Sequence, residues 1–350
     1  MFRPPPCPSV VIVLAATLTC PDAFGEGGLV EAGADEARTI HRIGLAGCHR
    51  QDQPAPALWR YVQAEPDLML CVGDNVYADT ETDIAYLHDQ HAMLASLPAF
   101  QKLKSQAVFA ATWDDHDYGL NNFGKDYPLR DASRRVFREF WDAAEFIPDD
   151  RDGVYHARYF GEGDRRLQIL LLDGRYNRDD EGDASDTLGE AQWAWLAAEL
   201  EKPAALRLVV NGYQFLLDRN QKMETWSKFP AAQRRLFDTL CESGAEGIVF
   251  IAGDQHYGEV SRWPGAIGYD AIEFMFSGVN QEEPHVFSTK RVSPVAHAKH
   301  AYALMDIVWR TTETDEPHVV FRAFDADTGA VELTYRGNFS ELKTPRQMLR

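Results

Sequence analysis

Short apolar runs recur along this chain, and each ends at residues that can bind something. Leu68–Val72 (LMLCV) has no helical period and stops at Gly73, which predicts a buried strand. Asp74 follows at once, and Tyr77 lies in the loop beyond it. Runs within IGLAGCH, VFAATWDDHD, LRLVVNGYQ and IVFIAGDQHYG end in the same way, at Cys48, at 114–117, at 211–214 and at 254–256. Between these runs, residues 58–63, 82–97, 133–146, 188–200 and 231–242 read as helices. Such alternation predicts an α/β fold, in which ligands gather at the carboxyl ends of the strands. Segments 153–160 and 166–172 read as a hairpin, and 272–276, 303–310, 319–324 and 331–335 as antiparallel strands of a second sheet.

The same run-ends concentrate the chemistry. Asp114, Asp115, His116 and Asp117 form the densest cluster of ionisable groups, and the Gly- and Asn-rich loop after them offers Asn121 or Asn122 as a neutral oxygen ligand. Read as extended backbone, Asp254 and His256 project to one side as a chelating pair. His88 and His91, three apart on a helix, read as a solvated surface pair, and the aromatic face of 133–146 reads as core. Arg175 follows the strand 166–172 at the same kind of position, placed to hold a phosphate.

Composition narrows the class. The 350 residues are 45% hydrophobic, enough for a large core, and no linker or repeat interrupts the strand and helix alternation between about 42 and 334. Ahead of it, Arg3, the apolar run VVIVLAATL and Ala23-Phe24-Gly25 read as a signal peptide over 1–25, too short to span a membrane. A linker over 26–40, a catalytic domain over 41–336 and a polar tail over 337–350 complete the division. The mature protein is expected to be secreted or periplasmic, without a transmembrane segment; the residues before Cys20 fit a lipoprotein anchor poorly. Cys48, Cys71 and Cys241 remain after cleavage, an odd number, and Cys48 is the one placed to bind metal. A net charge of −19 argues against nucleic-acid coats and anionic membranes as partners, and no feature points to an obligate protein partner.

Thiolate, phenolate, imidazole and carboxylates at one sheet edge imply two unlike metals, a Lewis-acidic transition metal and a hard cation such as calcium. Asp74 is the natural bridge between them. Metals about 3.5–4 Å apart activate a water and clamp phosphoryl oxygens during in-line displacement, so hydrolysis of a phosphate ester is expected.

In order, GLAGCHRQDQP, VGDNVYADT, ATWDDHDYG, LLDGRYNRD, LGEAQWAWL and AGDQHYGEV resemble the alkaline phosphatase D family of the metallophosphoesterase superfamily, over about 44–260. The resemblance implies an α/β/β/α sandwich of two mixed sheets between helices. It implies hydrolysis of phosphodiesters, and often monoesters, with Fe3+ and one or two Ca2+, other divalent metals being admissible. Carried over by motif, Cys48, Asp74, Tyr77, Asp254 and His256 hold iron. Asp74, Asp115 and Asn121 hold calcium, and His116 donates a proton or hydrogen bond to the leaving or non-bridging oxygen. Arg175, with Asn211 and Gln214, binds the phosphoryl group. Here the catalytic core starts almost directly after residue 40, whereas larger members often carry an extra N-terminal domain and a twin-arginine signal. Phospholipase- or phosphotriesterase-like specificity is the alternative on the same machinery. A silent metal-binding homologue and an iron redox protein are the alternatives outside it.

Overall fold

A computed structural model describes residues 37–219 and 222–345. The signal peptide and most of the linker expected from the sequence lie outside the described residues. In chain order the elements begin β1 (Arg42–Ala46), α1 (Pro56–Ala64), β2 (Leu68–Val72), α2 (Ile84–Ser96), α3 (Pro98–Lys104), β3 (Val108–Thr112), α4 (Asp115–Tyr118) and α5 (Arg130–Phe140). They continue with β4 (His156–Phe160), β5 (Leu167–Leu171), α6 (Glu190–Leu200), β6 (Leu206–Asn211), α7 (Pro230–Glu242), β7 (Ile248–Ala252), β8 (Gly258–Trp263), β9 (Ala271–Phe276), β10 (Ala301–Val308), β11 (His318–Asp325) and β12 (Val331–Asn338).

The strands form two mixed six-stranded sheets, ordered β12-β11-β10-β1-β2-β3 and β4-β5-β6-β7-β9-β8. Parallel strands β2, β5, β6 and β7 are buried along their whole length, which is why they read as unbroken apolar runs. β11 instead alternates, burying Val319, Phe321 and Ala323. Those side chains meet the other sheet, Phe321 stacking on Phe274 at 4.9 Å between ring centroids. Outside the first sheet, α1 lays Leu58 and Tyr61 on Met69 and Leu304, while α2 and α5 cover Ala111 and Trp113. Outside the second, Trp193, Leu196, Leu236 and Phe237 of α6 and α7 join the main core with Phe250. The result is the expected four-layer sandwich.

Local chemistry sets the helix limits. Asp83 caps α2 by accepting from Ala85 N and Tyr86 N, and prolines open α1, α3 and α7. α5 stops at Phe140, short of the expected 146, because Asp142 turns into left-handed backbone at φ 51.

Two expectations are corrected. Segment 272–276 belongs to the sheet of β5–β7, since β9 runs parallel to β7, and only β10–β12 extend the sheet of β1–β3. His91 is buried on the Phe140 ring, 4.8 Å between centroids, and burial pulls its pKa down to about 4.

Candidate active site

Parallel register brings the strand ends to one edge. Ala46 aligns with Cys71, Val72 with Thr112, Leu171 with Val210 and Asn211 with Ala252, so the loops beyond β1, β2, β3, β5, β6 and β7 open on the same side. Four residues there, Cys48, Asp74, Asp254 and His256, take positive φ of 52, 51, 72 and 60, a strained conformation for side chains other than glycine's and one that gathers at functional sites. Glycine is required beside them at two points. A Cβ on Gly73 would come within 2.6 Å of Asp114 Cβ, and one on Gly212 within 2.4 Å of Asp114 Cγ.

Asp74 is the hinge of the site. Its Oδ2 lies 3.4 Å from both Cys48 Sγ and Tyr77 Oη, and Tyr77 Oη lies 3.2 Å from His256 Nε2. Cys48, Asp74 and His256 offer ligand atoms within 4.8 Å of one another, as do Asp74, Asp115 and His116 in a second group and Asp114, Glu224 and Asp254 in a third. A pocket of about 200 Å³ opens onto Asp74, Asp115, His116, Asn121, Asn122, Asp254, His256 and Glu283, with Lys222, Met223 and Glu224 on its other wall.

The left-handed turns separate the expected Asp254–His256 pair. His256 joins the thiol group and Asp254 the third carboxylate group, because the intervening backbone is not extended.

Burial raises the Cys48 thiol well above its usual value, with Asp74 and Asp254 adding to it, and burial followed by Cys48 does the same to Tyr77. Asp74 is raised by burial and then by Asp115 and Asp114. Four buried carboxylates (Asp74, Asp114, Asp115, Glu224) and the partly buried Asp254 outnumber the two guanidiniums of Arg175 and Arg178, and among the described residues Asp114 Oδ2 has no hydrogen-bond partner. Bound cations would offset that excess, and the donor atoms of these groups fit metal binding.

Arg175 is fully buried. Its Nε donates to Asp114 Oδ1 at 2.6 Å, and its two terminal nitrogens grip Glu224, whose other side holds Arg178. The guanidinium expected on the phosphoryl group thus serves beneath the carboxylates. Burial pushes the Asp115 carboxyl up, but Arg175 at 4.0 Å and His116 outweigh it, and the net is a lowered value. Asn211 and Gln214, expected at the substrate, are also fully buried. Asn211 Nδ2 donates to Tyr213 O, and Gln214 Nε2 to Glu259 and Glu273. Asn121 lines the pocket and is fixed through its backbone N–H on Asp79 Oδ1 at 2.7 Å.

The positioning roles of several residues escaped the sequence reading. Asp79 Oδ2 lies 2.6 Å from His116 Nδ1; burial lowers the histidine's pKa, but the Asp79 bond and Asp115 outweigh it and raise it overall. Asp117 accepts from the backbones of Asp74, Asn75 and Asp114 and pins β2's end to β3's. Gln51 clamps Tyr77, accepting its N–H at 2.9 Å and donating to its carbonyl at 3.0 Å. Asp117 was visible as the last acid of DDHD. Glu224, in an ordinary polar stretch, carried no signal.

Two mixed sheets between helices, with carboxylates, a thiol and imidazoles crowded on one strand edge, define a metal-dependent phosphoester hydrolase. The model of the PhoD-like phosphatases matches residues 44–339, and the chain belongs to that family. Among solved structures it is similar to one titled "Structure of PhoD", with TM-score 0.58 and 16% identity over 86% of this chain and 72% of that one. It is also similar to purple acid phosphatase PPD1 from yellow lupin (Lupinus luteus) seeds, with TM-score 0.58 and 11% identity over 91% of this chain and 56% of that one. At these identities the likeness is one of fold. No curated protein matches the chain. No helix among the described residues is long and apolar enough to cross a membrane.

Proposed function

We propose that the chain is an exported phosphodiesterase and alkaline phosphatase with an Fe3+ and Ca2+ centre. The observation that carries it is the convergence of Cys48 Sγ, Asp74 Oδ2, Tyr77 Oη and His256 Nε2, with contacts of 3.2–3.4 Å around a shared point. Thiolate and phenolate are the donors that favour a ferric ion, and these four residues would hold it. Asp74 and Asp115, with Asn121 on the pocket wall, would hold calcium, and Asp254 with Asp114 and Glu224 would offer an oxygen set to a further hard cation. When bound, the metals supply an activated water and neutralise charge on the phosphoryl oxygens.

The protein's own groups do the rest. Asp79 holds His116 Nδ1, which leaves Nε2 for the substrate. As the phosphorus–oxygen bond breaks, that nitrogen gives its proton to the leaving oxygen. Asp117 fixes Asp74 at the strand end, and Arg175 holds Asp114 in place and lowers the pKa of Asp115. Lys222 also lines the pocket.

Elemental analysis of the purified protein, beside hydrolysis of a chromogenic phosphodiester and its monoester with and without a calcium chelator, tests the proposal. Iron near one equivalent with chelator-sensitive turnover supports it. Zinc alone, or activity indifferent to chelation, refutes the metal assignment.

A further inference from the structure

Tyr77 is gripped by one short segment. Gln51 holds both its backbone groups, and the neighbouring Arg50 sets its guanidinium carbon 5.4 Å from the centre of the Tyr77 ring. Arg50 is itself fixed at both ends. Its backbone N–H donates to Asn280 Oδ1 at 2.8 Å and its carbonyl accepts from Asn280 Nδ2 at 2.8 Å. Asp52 then takes Nε and Nη2 at 3.2 Å each, aligning the planar fork. The His116 ring, tilted by 31°, lies 4.1 Å from the Tyr77 ring, so the phenol bridges the thiol group and the proton donor.

A guanidinium against an aromatic face is attracted by the ring's electrons, and more strongly when the ring is an anion. We propose that Arg50 is a positioning residue that sets the electron-donating strength of Tyr77 toward the metal. The assignment rests on the ferric reading of the Cys48, Asp74, Tyr77 and His256 group. A positive charge beside the bound phenolate lowers the energy of its highest filled orbital and draws electron density away from the metal. The metal is then a stronger Lewis acid. Asp52 partly neutralises that charge and so moderates the effect. None of this requires Arg50 to touch substrate, and its side chain keeps 39% of its surface open to solvent.

Tyrosinate bound to ferric iron absorbs visible light by passing an electron from ring to metal, so the position of that band reads the donor's energy directly. Full-length holoenzyme is prepared as the parent, R50A, R50E, R50K, D52N and Y77F, with iron content measured in each. Arg50 holds Asn280 through its main chain, so trimming its side chain leaves the segment in place. The band is expected to move to longer wavelength in R50A and further in R50E, to stay near the parent in R50K, and to move to shorter wavelength in D52N. A band that stays fixed through R50A, R50E and D52N at equal iron content overturns the role of Arg50. An iron-loaded parent without the band, or a band that survives in Y77F, overturns the ferric tyrosinate reading instead.

Discussion

Replacing Arg175 separates two tasks, holding buried carboxylates and reaching substrate. The side chain is fully buried, with Nε 2.6 Å from Asp114 Oδ1 and Nη1 3.0 Å from Glu224 Oε1. Arg175→Ala strands both carboxylates where water cannot reach them. Removing one side of a buried ion pair costs about 3–5 kcal/mol, a large share of a typical stability of roughly 5–15 kcal/mol. With an unfolding slope of about 3 kcal/mol per M of urea, the midpoint falls by roughly 1–1.7 M. The assay is urea unfolding of metal-stripped protein, so that metal binding does not enter the comparison. Arg175→Lys should recover little, because a point charge cannot span both carboxylates. Arg175→Met with Glu224→Gln should recover more, because one of the two stranded charges goes too. An unmoved midpoint in Arg175→Ala, with KM raised and kcat intact, would mean that the guanidinium reaches substrate, and the reasoning from burial would fail.

Four other outcomes follow from the geometry. His116→Ala should keep its metals and lose about 10²–10⁴-fold in turnover; metal loss on elemental analysis would make the histidine a ligand. Asp74→Asn should empty both sides of the centre, and one retained metal would remove its bridging role. Asp79→Asn should lower kcat and bring the alkaline fall in activity to lower pH. The Asp79 bond raises His116, so without it the proton needed by the leaving group is lost sooner as pH rises; an unshifted limb argues against the pair. Burial lifts Glu273 from 4.5 to about 8, so folding takes up a proton. The stability this gives is complete below 4.5 and declines by about 1.4 kcal/mol per pH unit up to about 8. Glu273→Gln should flatten that decline in urea midpoints, and an unchanged slope would sink the assignment.

The sequence exposed the sheet edge because parallel strands buried on both faces must be apolar throughout, so their ends are abrupt. Cys48, Asp74 and Asp115 stand at such ends. Arg175 also stands at one, but nothing in a linear pattern says whether an arginine turns to solvent or into carboxylates contributed from Asp114 and Glu224, far away in the chain. The Asp254–His256 spacing misled because alternation assumes extended backbone, and both residues are left-handed. Strand period likewise cannot assign 272–276 to a sheet, since membership depends on the crossover that lays β9 beside β7.

Sheet membership has a consequence for the order in which this protein can be made. The β4–β9 sheet is assembled wholly from residues 156–276, so it can close while synthesis continues. Its partner joins β1–β3 to β10–β12, and β1 lacks its antiparallel neighbour until residues 301–308 have emerged. Cys48, Asp74 and Asp115 therefore hang from a half-built layer for most of translation, while Asp254 and His256 wait on a finished one. On the proposed metal centre, an occupied site would mark a molecule in which β1 has already paired with β10.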